Sequence, residues 1–339
     1  MSETPHTNRQ KAPGKKIRKI LLLSAVLFVV LLVSGCGIAA LMLYRSFERG
    51  GYFESWEKDE GRVLTGLPYG DDGSGRYDLY LHNSIDPDTE TPLLLLIHGG
   101  GWTSGNRGEM AYACHYYGKN GCITASLDYS LISEKNPEIT INTMLDEITA
   151  CTATLKKQLE AEGYRISGMA IGGISAGGHL SMLYAYSRAK ESAIPISFVF
   201  QKVGPVMFRK GYWEDDTAAI LIGYGGQIHV EPEQLENPET IEAADAISPI
   251  RYLCPDSLPT IFAYGDKDNL VWTVHRDALV KGLDENHVPY SRIDFPNSGH
   301  LLCDDVDCRD KFRATVLQYC ERYLKKSRVG EKKDTTADE

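Results

Sequence analysis

The sequence predicts an α/β domain, a mostly parallel central sheet with helices on both faces, preceded by one N-terminal transmembrane helix. Strand-like and helix-like segments alternate along most of the 339 residues, as in strands joined by crossover helices. Residues 93–97 are an unbroken aliphatic run, which favours a strand buried on both faces. Residues 20–44 contain no charged side chain, which favours a membrane span.

The charge-free segment would extend about 37 Å as a helix, enough to cross a hydrocarbon core of ~30 Å. Basic residues dominate the tail at 1–19, whereas acidic and basic residues mix after the segment. The positive-inside rule therefore predicts a cell-membrane protein with a cytoplasmic tail and an extracytoplasmic main domain. Two alternatives stay open, a cleaved signal peptide and a lipoprotein acylated at Cys36, which ends the lipobox-like run Val-Ser-Gly-Cys.

The segments after the anchor follow in chain order. Residues 45–75, rich in glycine and charge, are interpreted as a connector to a domain at 76–325, and the charged tail at 326–339 as disordered. Short aliphatic and aromatic runs predict strands, and a period near 3.6 predicts helices. The strands are predicted at 77–82, 93–97, 123–129, 168–173, 196–203, 260–264 and 291–295, and the helices at 140–162, 176–190 and 305–325.

One stretch, residues 205–249, separates two strands by more than a crossover needs. It is interpreted as a cap or insertion over the site, or alternatively as a surface excursion with its own small core. Its aromatic residues Phe208, Tyr212 and Trp213 would then contact a leaving group or pack that core.

Composition and net charge argue against several classes of function. The net charge of −10 argues against nucleic-acid binding, which needs a basic face. Eight cysteines include no CxxC pair, and neither a phosphate-binding P-loop nor a calcium loop occurs, so no metal or organic cofactor is expected. The cysteines are interpreted as small apolar residues, with disulfides between 114 and 122 or 303 and 308 left open, and oligomeric state is not predicted.

A nucleophile is predicted at Ser175, within Gly173-Ile174-Ser175-Ala176-Gly177. In a G-x-S-x-G turn between a strand and a helix, the flanking glycines permit a bend so tight that the serine Oγ stands clear of the backbone. The alternative for this motif alone is a glycine-lined turn without chemistry.

An oxyanion hole is predicted from the run His98-Gly99-Gly100-Gly101-Trp102, upstream of the serine. Three glycines let the backbone approach a reacting carbonyl, so Gly100 and Gly101 would donate two N–H groups. The N–H of Ala176 would supply a third donor at a helix N-terminus. His98 would brace the turn, and Trp102 would crowd the acyl side.

His300 is the predicted base, and Asp268 is the acid that would orient it. Both follow predicted strands, so their side chains would reach the same sheet edge as the serine. Asp266 is a rival acid, but its place directly after Gly265 favours a turn-forming role. The order Ser, Asp, His distinguishes this arrangement from the two other common triads.

Four motifs together resemble the α/β-hydrolase fold in its HGGG-type esterase/lipase branch: the glycine turn, the serine elbow, the acid loop GDKDNLV at 265–271 and the base loop NSGH at 297–300. Within that branch, the chain most resembles domains related to bifunctional feruloyl and acetyl-xylan esterases, the BD-FAE-like domains, over about residues 65–325. Hormone-sensitive-lipase-like relatives usually carry Asp-Pro in the acid loop, whereas Asn269 follows Asp268 here, which favours the BD-FAE side.

The resemblance implies a serine hydrolase of carboxylic esters, with acetylated or feruloylated carbohydrates as candidate substrates, and the predicted anchor would tether it to the membrane. Short acyl groups are expected to be preferred, because Trp102 would crowd the acyl side. A serine peptidase or amidase on the same triad is the second hypothesis, because the scaffold serves both reactions. A catalytically inactive hydrolase-fold binding protein is the third.

Overall fold

The computed structural model describes residues 40–226 and 228–325. The described residues belong to two units of the chain, divided between Glu48 and Arg49. In the first unit, residues 40–48 are helical. No helix among the described residues is long and apolar enough to cross a membrane. Most of the predicted anchor, Cys36, the basic tail and the charged C-terminal tail lie outside the described residues.

The second unit is built on one eight-stranded sheet with the order β1-β2-β4-β3-β5-β6-β7-β8. Strand β2 pairs antiparallel with both β1 and β4, and every pairing from β4 to β8 is parallel. This confirms the predicted, mostly parallel sheet. The strands are β1 (Gly61–Tyr69), β2 (Gly75–His82), β3 (Glu90–Ile97), β4 (Ile123–Leu127), β5 (Arg165–Ile174), β6 (Ile196–Lys202), β7 (Thr260–Gly265) and β8 (Tyr290–Phe295).

Seven α-helices accompany these strands in the second unit's described residues. They are α1 (Ala111–Lys119), α2 (Ile141–Ala161), α3 (Ala176–Ser187), α4 (Asp215–Gly226), α5 (Pro238–Ala246), α6 (Thr273–Glu285) and α7 (Val306–Tyr319). Helix α2 begins where Thr140 caps it by accepting a hydrogen bond from the Thr143 N–H. Its predicted apolar face is confirmed, because Met144, Ile148, Cys151 and Leu155 are all buried.

Apolar side chains of the central strands alternate between two cores, one on each face of the sheet. In β3, Leu93, Leu95 and Ile97 join one core. Leu94 and Leu96 join the other. The unbroken aliphatic run is therefore explained by a period-two strand that meets apolar surroundings on both sides.

Two features differ from the sequence-based expectations. The expected connector at 45–75 contains β1, an antiparallel edge strand with an irregularity between Leu64 and Leu67. Its two glycines, its proline and its half-exposed side chains hide the strand pattern. Segment 205–249 does not have a core of its own, because buried residues such as Phe208, Ile222 and Ile247 belong to the main core.

No disulfide joins the cysteines of the described residues, including both pairs that were considered as disulfides. Cys114 and Cys151 are fully buried, and burial raises the pKa of each thiol well above its usual value. Their surroundings are those of small apolar core residues.

Candidate active site

The turn between β5 and α3 holds Ser175 in a strained conformation, with φ 55° and ψ −122°. A Cβ on Gly173 would lie 2.5 Å from the backbone of Gly177, and a Cβ on Gly177 would lie 2.1 Å from the Ile97 carbonyl oxygen. Both glycines are therefore required by close backbone packing, and the turn projects the serine from the sheet edge.

Three side chains form a continuous series of hydrogen bonds at this edge. His300 Nε2 lies 2.9 Å from Ser175 Oγ, and His300 Nδ1 lies 2.8 Å from Asp268 Oδ2. With Asp268 ionised, Nδ1 carries the proton, so Nε2 is free to accept the serine proton. The structure thus brings together the three residues that the sequence nominates from three separate loops.

The acid is enclosed and held by the backbone. The Asp268 side chain is fully buried, and its Oδ1 accepts hydrogen bonds from the N–H groups of Leu270 (2.8 Å) and Val271 (3.0 Å). The rival Asp266 is half-exposed and pairs with Arg276 instead of reaching the histidine. The loop geometry therefore presents Asp268, and not Asp266, to His300.

Asp305 anchors the loop that carries His300. Its carboxylate accepts hydrogen bonds from the N–H and side-chain amide of Asn297 (3.0 and 2.8 Å) and from Ser298 Oγ (2.6 Å). Burial works against the charged form, but these hydrogen bonds hold the pKa of Asp305 below its usual value. Sequence reasoning missed this role, because an aspartate in an acidic run before a helix resembles a solvated helix start.

The glycine turn after β3 has the positive φ values that glycine permits, 110° at Gly100 and 59° at Gly101. The Thr103 and Ser104 N–H groups close the turn onto the Gly100 carbonyl. The N–H groups of Gly100, Gly101 and Ala176 donate no hydrogen bond to another described residue. No described atom lies within 4 Å of a Cβ placed on Gly101, so this side of the turn opens onto free space.

His98 braces the turn from inside the core. Its Nδ1 lies 2.7 Å from the Gly99 carbonyl oxygen, and its ring stacks on Tyr129 with 4.2 Å between centroids. The Tyr129 hydroxyl also donates to the Gly99 oxygen, at 3.1 Å. Burial lowers the pKa of His98, so the ring is neutral and donates from Nδ1.

Trp102, the last residue of the motif, does not lie where the sequence places it. Its indole is only 4% exposed and packs against Phe208, so it does not line an open acyl pocket. Phe208 is equally buried and lies against Trp213. The aromatic residues of segment 205–249 therefore pack mainly into the core, with Tyr212 and Trp213 partly accessible.

Side chains able to hold a metal ion do not cluster in the described part of the chain, where no group of three or more His, Cys, Asp or Glu forms a potential site. The chemistry that this arrangement can perform is nucleophilic attack by an activated serine beside preorganised N–H donors.

Comparisons with known proteins identify a family model and relatives that this chain matches. The BD-FAE family model matches residues 77–283. Esterase LipQ of Mycobacterium tuberculosis is 23% identical over 80% of this chain and 65% of its own length. Kynurenine formamidase of Danio rerio is 26% identical over 36% of this chain and 38% of its own length. The matched region thus spans less than two thirds of these relatives.

A solved structure shares the fold. A truncated carbohydrate esterase from gut microbiota superposes with a TM-score of 0.60 at 18% identity, covering 78% of this chain and 98% of that one. The family match extends over more than half of the sequence and includes the glycine turn, the serine elbow and Asp268. The chain belongs to the BD-FAE family of α/β hydrolases.

Proposed function

We propose that this protein is a serine hydrolase that cleaves carboxylic esters through an acyl-enzyme. The observation that carries the proposal is the unbroken series from Ser175 Oγ through His300 to Asp268, with both distances below 3 Å. Three N–H groups beside the serine, which pair with no other described residue, can bind a developing oxyanion, as acyl transfer requires.

In the acylation half of the reaction, Ser175 Oγ attacks the ester carbonyl carbon while His300 Nε2 takes the hydroxyl proton. The carbonyl oxygen becomes an oxyanion that accepts hydrogen bonds from the turn and from the start of α3. The imidazolium, stabilised by Asp268, then protonates the leaving alcohol oxygen as the C–O bond breaks. The acyl group remains on the serine.

Deacylation repeats these steps with water. His300 takes a proton from the water molecule, whose oxygen attacks the acyl carbon. The second tetrahedral intermediate collapses, the proton passes to Ser175 Oγ, and the carboxylic acid leaves. The strained elbow keeps the serine in position throughout both halves.

Short acyl esters are the proposed substrates, with acetylated or feruloylated carbohydrates as candidates. Membership in the BD-FAE family and the likeness to a carbohydrate esterase support this class. The test is a chain-length series of p-nitrophenyl esters with acetylated sugars and feruloyl esters alongside, compared by kcat/KM. A preference that rises beyond about eight carbons would contradict it.

Amide cleavage on the same triad is the second candidate, favoured by the similarity to a kynurenine formamidase. Aryl formamides, aminoacyl amides and matched esters should be compared at equal concentration. Higher kcat/KM for an amide than for its matched ester would reassign the protein to this class.

The third candidate, an inactive binding protein, is addressed by covalent labelling. A fluorophosphonate probe should label the wild type, whereas Ser175→Ala should stay folded and unlabelled. Ser181→Ala, on the same helix but hydrogen-bonded within it, is the matched control and should label normally. Failure of the wild type to label would leave the binding-protein hypothesis in place.

Tethering outside the cytoplasm is part of the proposal. It is supported by the charge-free segment at 20–44 and the basic residues before it. Protease added to intact cells should digest the catalytic domain, and complete protection would contradict this topology. Loss of lipid labelling and release of the domain in Cys36→Ser would favour the lipoprotein alternative.

A further inference from the structure

A buried histidine, His179, contacts Trp102 at the end of the candidate oxyanion turn and takes no part in the proposed reaction. His179, on α3, is fully buried. The Trp102 indole Nε1–H donates to its Nδ1 at 3.2 Å, so the ring proton is on Nε2, which donates to the Ile247 carbonyl oxygen at 2.7 Å. Both ring nitrogens are thus paired, and burial lowers the pKa of His179 to about 4, which keeps the ring neutral.

The two partners of His179 belong to parts of the protein that are far apart in sequence. Trp102 directly follows Gly101 and has a φ of 63°, a conformation that tryptophan rarely adopts. Ile247 lies near the end of segment 205–249, and the next residue, Ser248, also anchors that segment by accepting the Phe208 N–H. The imidazole therefore links Trp102, at the end of the glycine turn, to the buried backbone of segment 205–249.

The link adds a constraint at the C-terminal end of the glycine turn. Hydrogen bonds already hold the carbonyl groups of Gly99 and Gly100, but the freely rotating backbone at Gly101 leaves the end of the turn to be fixed by the residue that follows it. The buried indole fixes the turn only if its own position is held, and its one polar atom is held by His179 Nδ1. A displacement of about 1 Å in an active site can cost on the order of 100-fold in rate.

We propose that His179 is a positioning residue for the oxyanion hole. Through Trp102 it holds the glycine turn so that the N–H groups of Gly100 and Gly101 converge on the reacting carbonyl, and the Ile247 carbonyl fixes its tautomer. This inference rests on the proposed ester hydrolysis. It differs from a purely packing role because it assigns the catalytic effect to one of the two hydrogen bonds.

Two amide substitutions separate these hydrogen bonds. Asparagine places its carbonyl oxygen near the position of Nδ1, so His179→Asn can still accept the indole N–H. Glutamine places its amide nitrogen near the position of Nε2, so His179→Gln can still donate to Ile247 but loses the acceptor for Trp102. Trp102→Phe removes the indole donor and keeps an aromatic ring.

The measurement is kcat and KM for p-nitrophenyl acetate, taken well below each variant's Tm. We expect His179→Gln and Trp102→Phe to lower kcat by about ten- to hundredfold with KM changed less than about threefold. His179→Asn should stay within about threefold of the wild-type kcat. The double variant His179→Gln/Trp102→Phe should be no slower than either single variant, because both remove the same contact.

Tyr184→Phe is the matched control for stability. Tyr184 lies on the same helix as His179, and the substitution removes the hydrogen bond between the Tyr184 hydroxyl and Thr149 Oγ1 (3.0 Å), which is away from the glycine turn. Its Tm should fall while kcat stays unchanged. Provided that the wild type turns over the ester, two results would overturn the positioning role. One is an equal loss of kcat in His179→Asn and His179→Gln. The other is an additive loss of kcat in the double variant. Absence of turnover in the wild type would instead refute the proposed function.

Discussion

Replacing Asp268 by asparagine tests the acid of the site, because the surrounding backbone dictates how the new amide must point. Oδ1 of Asp268 accepts two backbone N–H groups, from Leu270 and Val271. An amide nitrogen at that position would face two donors, so the amide oxygen must take it. The NH2 group then faces His300 Nδ1.

The consequence is the wrong tautomer of the base. His300 Nδ1 would accept from the amide, which moves the ring proton to Nε2, where it opposes the Ser175 hydroxyl. The imidazole can no longer accept the serine proton, and the imidazolium loses its anionic partner. We expect kcat to fall by on the order of 10⁴, or about 5 kcal/mol in the activation free energy.

The assay is p-nitrophenyl acetate hydrolysis at neutral pH, with the melting temperature measured in parallel. Asp266→Asn is the control, because its half-exposed ion pair with Arg276 contributes at most about 1 kcal/mol to stability. Its kcat should stay within about threefold of the wild type. Activity of Asp268→Asn within tenfold of the wild type, or a larger loss in Asp266→Asn, would refute the reasoning.

Three other perturbations have defined outcomes. Burial lowers the pKa of His179 to about 4 and the pKa of His275 to about 3, whereas a histidine in the unfolded chain has a pKa of ~6.5. As the pH falls below ~6.5, the unfolded state therefore binds more protons than the folded state. In urea unfolding, the free energy of unfolding should be at its full value above about pH 6.5 and should decline towards about pH 4. About 3 kcal/mol of this decline comes from His179 and should disappear in His179→Asn. The same pH dependence in the wild type and in His179→Asn would contradict this. Gly177→Ala places a Cβ 2.1 Å from the Ile97 carbonyl oxygen and should destabilise the fold by about 3 kcal/mol in the same assay, whereas a loss below 1 kcal/mol would show that the turn can relax. Asp305→Ala leaves buried donors unpaired and should lower both the free energy of unfolding, by about 2 kcal/mol, and kcat, through the loosened base loop; an unchanged kcat would limit Asp305 to stability.

The elements that the sequence predicts well are those whose physical cause is local. The aliphatic run of β3 reflects burial on both faces, and the elbow glycines reflect a backbone contact that excludes any side chain. Asp268 and His300 can be nominated because each follows a strand, and parallel strands end at one sheet edge. The family resemblance rests on these same segments, and the family match bears it out.

Features that the sequence does not reveal depend on contacts between distant segments. Asp305 holds the base loop through hydrogen bonds across a turn, and nothing in its own neighbourhood distinguishes it from a solvated acid. The motif places Trp102 beside the acyl group, but its donor finds a partner on α3, a contact that no local pattern encodes. Strand β1 is held by pairing with β2 rather than by its own propensity, which its glycines and proline weaken.

The distribution of the site over the chain also bears on when activity arises during folding. Ser175 and His300 are separated by 125 residues, and their loops meet only after the parallel strands β5 to β8 have assembled side by side. Such non-local pairing is slow compared with helix formation, because the entropy of closing long loops is lost before the contacts compensate for it. In a chain emerging from the ribosome, the residues of α3 and its elbow are synthesised well before residue 300. Covalent probe labelling of Ser175 during refolding would therefore mark only molecules in which β8 has docked, and it would time the last stage of folding rather than the first.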